Sequence, residues 1–445
     1  MNVATFPTNT GFADGTANLA IHDFRMAMTA PIQPPTARSF TVRDRRILFL
    51  SSVIAVVAGY TGSQMAHTLP FARAALDLTE GQMSALFAAV RAVSLLGVFF
   101  AVAADRNGRR KPILASFLLL AFGSLATAFI PSVAAYAISQ GVVRIGLVAV
   151  ASLTIVLLAE ELTPGIRALG IGIYGLAGSI GVGTGLLLLP IAESNDGAWR
   201  ILFGLGTLGL LAFPLLNRFL PESRAFVPAT PIRFTKALGM GLSRHFWPLA
   251  GVSFFVAAFS APAFDFVLER LINDLSWDTG AARFLLIVFS GLGAIGLLVG
   301  GRLADQYGRR PTSVAALAIG LVGGVGFYLL DSGWFLATSI FLATLGATML
   351  TPSYGAQRSE LFPTRVRATA NAWLTNIAIL GSIAGFATGA ILIDSIGLAS
   401  TVSMLGAGLV ISMVLVLRLP ETRGMDLVRK KVRRSSTTTP TPQVE

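Results

Sequence analysis

Twelve apolar stretches run along the chain, at approximately residues 46–66, 82–104, 113–130, 134–158, 168–191 and 199–219, and then 247–268, 282–304, 312–330, 334–354, 368–391 and 397–418. Each is long enough to cross about 30 Å of hydrocarbon as a helix, which takes roughly 20 residues. Polar connections separate them, and the longest, a Pro-bearing stretch from Pro221 to Arg244, falls between the sixth and the seventh. The pattern predicts an all-α membrane protein of twelve transmembrane helices in two pseudo-symmetric six-helix halves, residues 46–220 and 247–420, joined by a cytoplasmic loop over 221–246. Residues 1–45 carry no sustained period and lack the basic start, apolar run and cleavage site of a signal peptide. They are expected to form a disordered cytoplasmic tail, or to lie upstream of the true start, and 421–445 is expected to be a second cytoplasmic tail.

Three strings in the first half return in the same order in the second. Asp105-Arg106-Asn107-Gly108-Arg109-Arg110 returns as Asp305-Gln306-Tyr307-Gly308-Arg309-Arg310, Glu161-Leu162-Thr163-Pro164 as Glu360-Leu361-Phe362-Pro363, and Pro221-Glu222-Ser223-Arg224 as Pro420-Glu421-Thr422-Arg423. A shared spacing of about 200 residues is the mark of an internal duplication. Gly172, Gly175, Gly178, Gly181 and Gly185 recur at helical spacing in the fifth stretch. Small residues let membrane helices approach closely, so the stripe reads as packing, with helix sliding as the sharper alternative.

Composition agrees with the span count, since 54% hydrophobic and 13% charged residues cannot be placed in one soluble core. Most of the 34 Lys and Arg lie in the termini and the loops on their side, while Asp77, Glu80, Glu193, Asp196, Asp274, Asp278, Asp331 and Asp394 lie in or beside the opposite loops. By the positive-inside rule both termini are cytoplasmic, in an inner or plasma membrane. The net charge of +12 therefore reports topology, and no nucleic-acid partner is expected. The basic cluster from Arg429 to Arg434 follows the same bias, with contact to anionic membrane lipids as the further reading. With no Cys and three His, neither disulfides nor a transition-metal site is expected, and no cofactor is implied.

The string Gly301-Arg302-Leu303-Ala304-Asp305-Gln306-Tyr307-Gly308-Arg309-Arg310, with its partial copy at Asp105 where Ala101 replaces the leading Gly, resembles the loop motif of the major facilitator superfamily. The Glu-x-x-Pro-x-x-Arg strings after spans four and ten and the Pro-Glu-Ser/Thr-Arg strings after spans six and twelve resemble its sugar-porter and metabolite–proton symporter branch. Sugar-specific strings are missing, since span seven reads Val252-Ser253-Phe254-Phe255-Val256, and span one carries no acid between Gly59 and Gln64. The resemblance implies cytoplasmic gate clusters in which Arg109 joins Glu161 and Arg167, and Arg309 joins Glu360 and Arg367, made when that side closes and broken when it opens. Gly108 and Gly308 permit tight turns, and Asp105 and Asp305 close the preceding helices and can accept hydrogen bonds from helix N-termini.

Ionisable residues inside a bilayer are costly and point to function. Arg91 in span two and Arg144 in span four are such residues, each able to hold an anionic substrate, to serve as counter-ion of a titrating carboxylate, or to brace the bundle; Asp265 stands near the outer end of span seven with Glu269 one turn beyond. Spans two and seven approach each other at the outer face in the superfamily, so Arg91 and Asp265 are expected to meet when that face is closed. Asp265 is the leading carboxylate for proton coupling. Tyr60, Gln64, Gln140, Tyr174, Phe255, Phe259, Tyr354, Trp373 and Asn376 are the cavity candidates on spans that line the centre in the superfamily. They describe an aromatic cavity with few charges, suited to a weakly polar or amphipathic solute as well as to a sugar. The reading is a monomeric secondary transporter of a small organic solute, coupled to protons and working by alternating access. A multidrug or metabolite exporter running as a proton antiporter is the alternative, with a uniporter or transporter-like receptor behind it. An enzyme is disfavoured because the sequence has no nucleotide loop, no Cys or His cluster and no buried carboxylate pair.

Overall fold

The computed structural model describes residues 40–162, 166–224, 243–362 and 364–423; for 105, 167–168, 243 and 364–369 it describes the backbone only. The predicted N-terminal tail up to residue 39, most of the central loop and the C-terminal tail from 424 lie outside the described residues. So do the side chains of the expected gate residues Asp105, Arg167 and Arg367.

Twelve helices are long and apolar enough to cross a membrane: α1 Val42–His67, α2 Glu80–Ala104, α3 Arg110–Ala128, α4 Val133–Glu161, α5 Leu169–Glu193, α6 Trp199–Phe219, α7 Arg244–Asp265, α8 Thr279–Tyr307, α9 Arg309–Leu329, α10 Gly333–Glu360, α11 Ala370–Ile396 and α12 Leu398–Leu417. Each falls on one of the apolar stretches read from the sequence. Their starts are fixed by local chemistry. Thr41 and Asp44 form a reciprocal capping box on α1 (3.1 and 3.0 Å), and Thr79 and Gln82 form another on α2 (3.1 and 2.9 Å). α2 and α8 are not regular throughout, with a 3-10 turn over Leu95–Gly97 and a π-helical turn over Leu286–Ser290.

The two halves pack by the same rule. In the first, α1 lies backbone to backbone on α5, where a Cβ on Gly181 would strike the carbonyl of Val56. In the second, α7 lies on α11, where a Cβ on Gly381 or Gly385 would strike the carbonyls of Phe254 and Ala258. The Gly stripe of α5 serves this packing only in part. Gly178, Gly181 and Gly185 meet α1, whereas Gly172 and Gly175 face open space.

The halves meet at the end of the molecule opposite the described termini, where α2 packs on α11. Toward the termini they part. On α4 the face between α1 and α2, defined by the contacts Gly62 to Leu147 and Gly97 to Val148, carries the half-buried Arg144 and then the exposed Ser152 and Ile155. On α10 the corresponding face carries the exposed Thr351 and then Gly355, which has nothing within 4 Å. Exposure that grows along both faces describes a cavity between the halves, closed at the acidic end and open at the terminus-bearing end.

Candidate functional site

The seal at the acidic end is built from charges that cross between the halves. α7 continues as a helical turn past Asp265 to Val267–Glu269, which sets Asp265 and Glu269 one turn apart on one face. Arg91 of α2 reaches Asp265, with Nη2 to Oδ2 at 2.6 Å, and its guanidinium lies 5.3 Å from the ring centroid of Phe386 on α11. Arg73, on the short helix Leu69–Ala75 after α1, reaches Glu269, with Nε to Oε1 at 2.6 Å. Asn273 donates to the same oxygen at 2.6 Å. Glu269 is 0% exposed and its Oε2 is buried with no hydrogen-bond partner. Burial pushes the Glu269 carboxyl up from the usual carboxylate range, against the pull of Asn273 and Arg73. Beside these pairs, Asp394 of α11 accepts from Thr79 Oγ1 (2.8 Å) and the Gly81 N–H (3.0 Å), and Ser84 donates to the Phe386 carbonyl (2.7 Å). Phe87 stacks on Phe386 at 4.9 Å and fills the space below.

The terminus-bearing end is built differently. Gly108 and Gly308 have φ of +87° and +115°, and a Cβ on either would collide with the carboxylate of Glu222 or Glu421. Those carboxylates cap α3 and α9. Glu222 Oε1 accepts the N–H of Arg109 at 2.6 Å, and Glu421 accepts the N–H groups of Arg309 (2.8 Å) and Arg310 (3.0 Å). Burial acts to raise the Glu421 carboxyl, but four backbone N–H groups outweigh it and hold the group below its ordinary value. The helix N-termini are therefore served by Glu222 and Glu421; Asp305, expected in that role, instead accepts from Arg309 Nη1 at 2.5 Å.

One expectation about the gate arginines is corrected. Arg109 pairs with Glu160 (3.1 Å), not Glu161, while Arg309 pairs with Glu360 (3.2 Å) as read. Glu161 turns to Arg43 and to the backbone N–H of Arg224. The helical phase explains the swap, because the adjacent side chains point about 100° apart and only one can face α3. These pairs lie within single halves.

Most of the aromatic and amide cavity candidates are absorbed by packing. Tyr60 donates to the Leu202 carbonyl (2.8 Å), Gln140 to Thr127 Oγ1 (2.8 Å), and Tyr354 shares a hydrogen bond with Ser253 (2.9 Å). Gln64 is fully buried against Gly185, Tyr174 lies in the α1–α5 core, and Phe255 and Phe259 pack on Gly408 and Gly324 inside the second half. Trp373 shares the exposed face of Leu380 and Ile391. Asn376 is half-buried. Arg144 is different: among the described residues it makes no hydrogen bond and no ion pair. It sits about 17 Å along α4 from the acidic end at 1.5 Å per residue, within the electrostatic range of Arg91 and Asp265. Those two neutralise each other, which leaves the inner end of the cavity with one uncompensated positive charge.

A fold of twelve helices in two similar halves around a central cavity sealed at one end defines a membrane transporter. Family models agree, with Major Facilitator Superfamily matching residues 249–442 and Sugar (and other) transporter matching 48–230. The chain belongs to the major facilitator superfamily, as a multi-pass membrane protein that moves a small organic solute by alternating access. It is similar to a probable 4-methylmuconolactone transporter of Cupriavidus pinatubonensis, 26% identical over 80% of this chain and 86% of that one. It is also similar to the galactose-proton symporter of Escherichia coli, 25% identical over 86% and 92%. Among solved structures it resembles the inward open conformation of the Escherichia coli xylose transporter, with a TM-score of 0.69 and 17% identity over 88% of this chain and 99% of that one.

Proposed function

We propose that the chain is a proton-coupled symporter of a small organic acid, with its terminus-bearing end in the cytoplasm and the conformation described here facing inward. The observation that carries the substrate reading is Arg144. An arginine at the centre of a span costs about 2.5–3.5 kcal/mol even on insertion-based scales, and this one has no hydrogen-bond or ion-pair partner among the described residues at the closed end of the cavity. An anionic solute would supply the missing charge, and a carboxylate would match the planar guanidinium fork. The same face of α4 continues through Val148, Ala151 and Ile155 toward the opening, which suits a solute with an apolar body. Support for small-solute and proton partners comes from the relatives, whose names state transport of 4-methylmuconolactone and of galactose with protons. In this reading the protein works as a monomer in an inner or plasma membrane, in contact with lipids and without nucleic acid.

The test is uptake into proteoliposomes of the purified chain, with benzoate, its neutral isostere benzamide and galactose as probes. An outside-acid pH gradient should drive accumulation of benzoate, and not of the other two, beyond the passive uptake of this permeant acid by protein-free liposomes. Arg144→Gln should lower benzoate uptake about tenfold or more, because a hydrogen bond to a charged group is worth about 1.5–3 kcal/mol. Uptake of benzamide equal to that of benzoate, or full activity of Arg144→Gln, would overturn the organic-acid reading. Outward movement driven by the same gradient would identify an exporter.

A further inference from the structure

We infer that Glu269 is the coupling proton site, and that closing the acidic face buries its carboxylate in one of two neutral forms, protonated or paired with Arg73. This rests on the symport reading above and deepens it. Asp265, the acid favoured by sequence, already has its counter-ion in Arg91 and remains partly accessible, at 16% of its side chain. Glu269 is fully buried one turn farther out, at the junction where the two halves touch.

A symporter must change face in two conditions, loaded with both proton and solute or empty of both. A bare carboxylate cannot be buried cheaply in either case. Glu269 meets both requirements. One oxygen, Oε1, takes Arg73 and Asn273, and the other, Oε2, is buried with no hydrogen-bond partner among the described residues. That second oxygen is where a proton would sit, and its presence would make the group neutral without Arg73. In the empty carrier Arg73, which belongs to the other half, replaces the proton. The remaining charges around the site are those of Glu80 at the start of α2, Asp274 one turn on, Asp265 with Arg91 one turn back, and Arg270, which is tied to Asp274 (3.2 Å) and Asp331 (2.8 Å). Two of the neighbours, Glu80 and Asp274, are acids that further disfavour a second unprotonated carboxylate.

His67 of α1 and Asp265 line a void of about 300 Å³ between α1, α5, α7, α8 and α10, and the adjacent Leu268 lines it too. The void thus places the polar Asp265, one turn from Glu269, beside room for water.

The direction of the pH effect follows. In the sealed state burial raises the affinity of Glu269 for its proton, and opening of the acidic face exposes the group and returns it toward the ordinary carboxylate range. Protonation therefore favours the sealed state. The sealed-to-open ratio should rise as pH falls through the sealed-state pKa, by at most about tenfold per pH unit for a single group.

The experiment is a pH series of distances between spin labels at Ser194→Cys and Ser332→Cys, on exposed loops of the two halves at the acidic end; the chain has no native Cys. The full-length protein should shift toward the short distance as pH falls. Glu269→Gln, which removes the titrating group, should abolish the pH response of the distance, and Arg73→Gln should hold the short distance only at low pH. A pH-independent distance in the unaltered protein, or a Glu269→Gln protein that still responds to pH, would overturn the assignment. The uptake assay separates this from the wider reading. Gradient-driven accumulation that survives intact in Glu269→Gln places the proton elsewhere and leaves symport standing, whereas accumulation without any gradient dependence in the unaltered protein removes symport itself.

Discussion

The two ends of the molecule hold their charges in opposite ways. At the terminus-bearing end the charged groups bind within one half, and they do so twice: Arg109 with Glu160 and Arg309 with Glu360, Glu222 capping α3 and Glu421 capping α9. At the acidic end two ion pairs cross between the halves, Arg91 with Asp265 and Arg73 with Glu269, beside the Arg270 pairs with Asp274 and Asp331 inside the second half. Duplication explains the first pattern, since a brace inside a repeat is copied with it. The second breaks the repeat. Gly146 and Gly346 make the same contacts on α3 and α9, which puts Arg144 opposite Thr344 and, on the same register of about 200 residues, Arg91 opposite Gly291. The groups repeated in both halves thus bind inside each half, and the groups without a counterpart bind across the seal.

The comparison is broken most directly at the seal. A buried ion pair contributes little net stability when intact, but removing one partner strands the other charge at about 3–5 kcal/mol, or more than about a hundredfold in an equilibrium. Asp265→Ala should therefore shift the population toward acid-face-open forms, and adding Arg91→Ala should partly restore it. Label distances across the acidic end would measure the shift, and additive effects of the two changes would refute the coupling.

The opposite end should respond in stability rather than in conformational balance. Gly308→Ala places a Cβ at φ of +115° against the Glu421 carboxylate, and a strained residue of that kind costs about 1–3 kcal/mol. The expected result is a lower thermal midpoint in detergent with little change in label distance. A large change in acid-face distance with no loss of stability would show that this motif is a gate after all.

The smallest effect is expected from Glu421→Ala, which removes the cap of α9 at about 0.5–2 kcal/mol. The Glu222→Ala protein should behave alike, because the two caps are copies. Unequal losses in thermal midpoint would mean that the halves do not share this brace.

Some of the site was open to reading before any coordinates. Arg91 meeting Asp265 followed from the two charges lying in the outer parts of spans known to approach. Glu222 and Glu421 stood in a repeated string, yet their capping role was hidden because they lie more than a hundred residues from the helices they serve. Arg73 gave no signal at all, being one loop arginine among others. Glu160 and Glu161 were adjacent candidates whose phase on α4 decided between them.

The sequence by itself determined the twelve spans, their grouping by six and the turns at Gly108 and Gly308, because hydrocarbon thickness, helical rise and the steric limits on φ act on each segment locally. Only the tertiary structure decided which polar groups spend themselves on packing, as Gln140 and Tyr354 do, and which have no hydrogen-bond partner among the described residues, as Gln64 and Glu269 Oε2 do. The reason is that a side chain's partner in a helical bundle belongs to a neighbouring helix, and which neighbour it faces is set by the packing of the whole bundle.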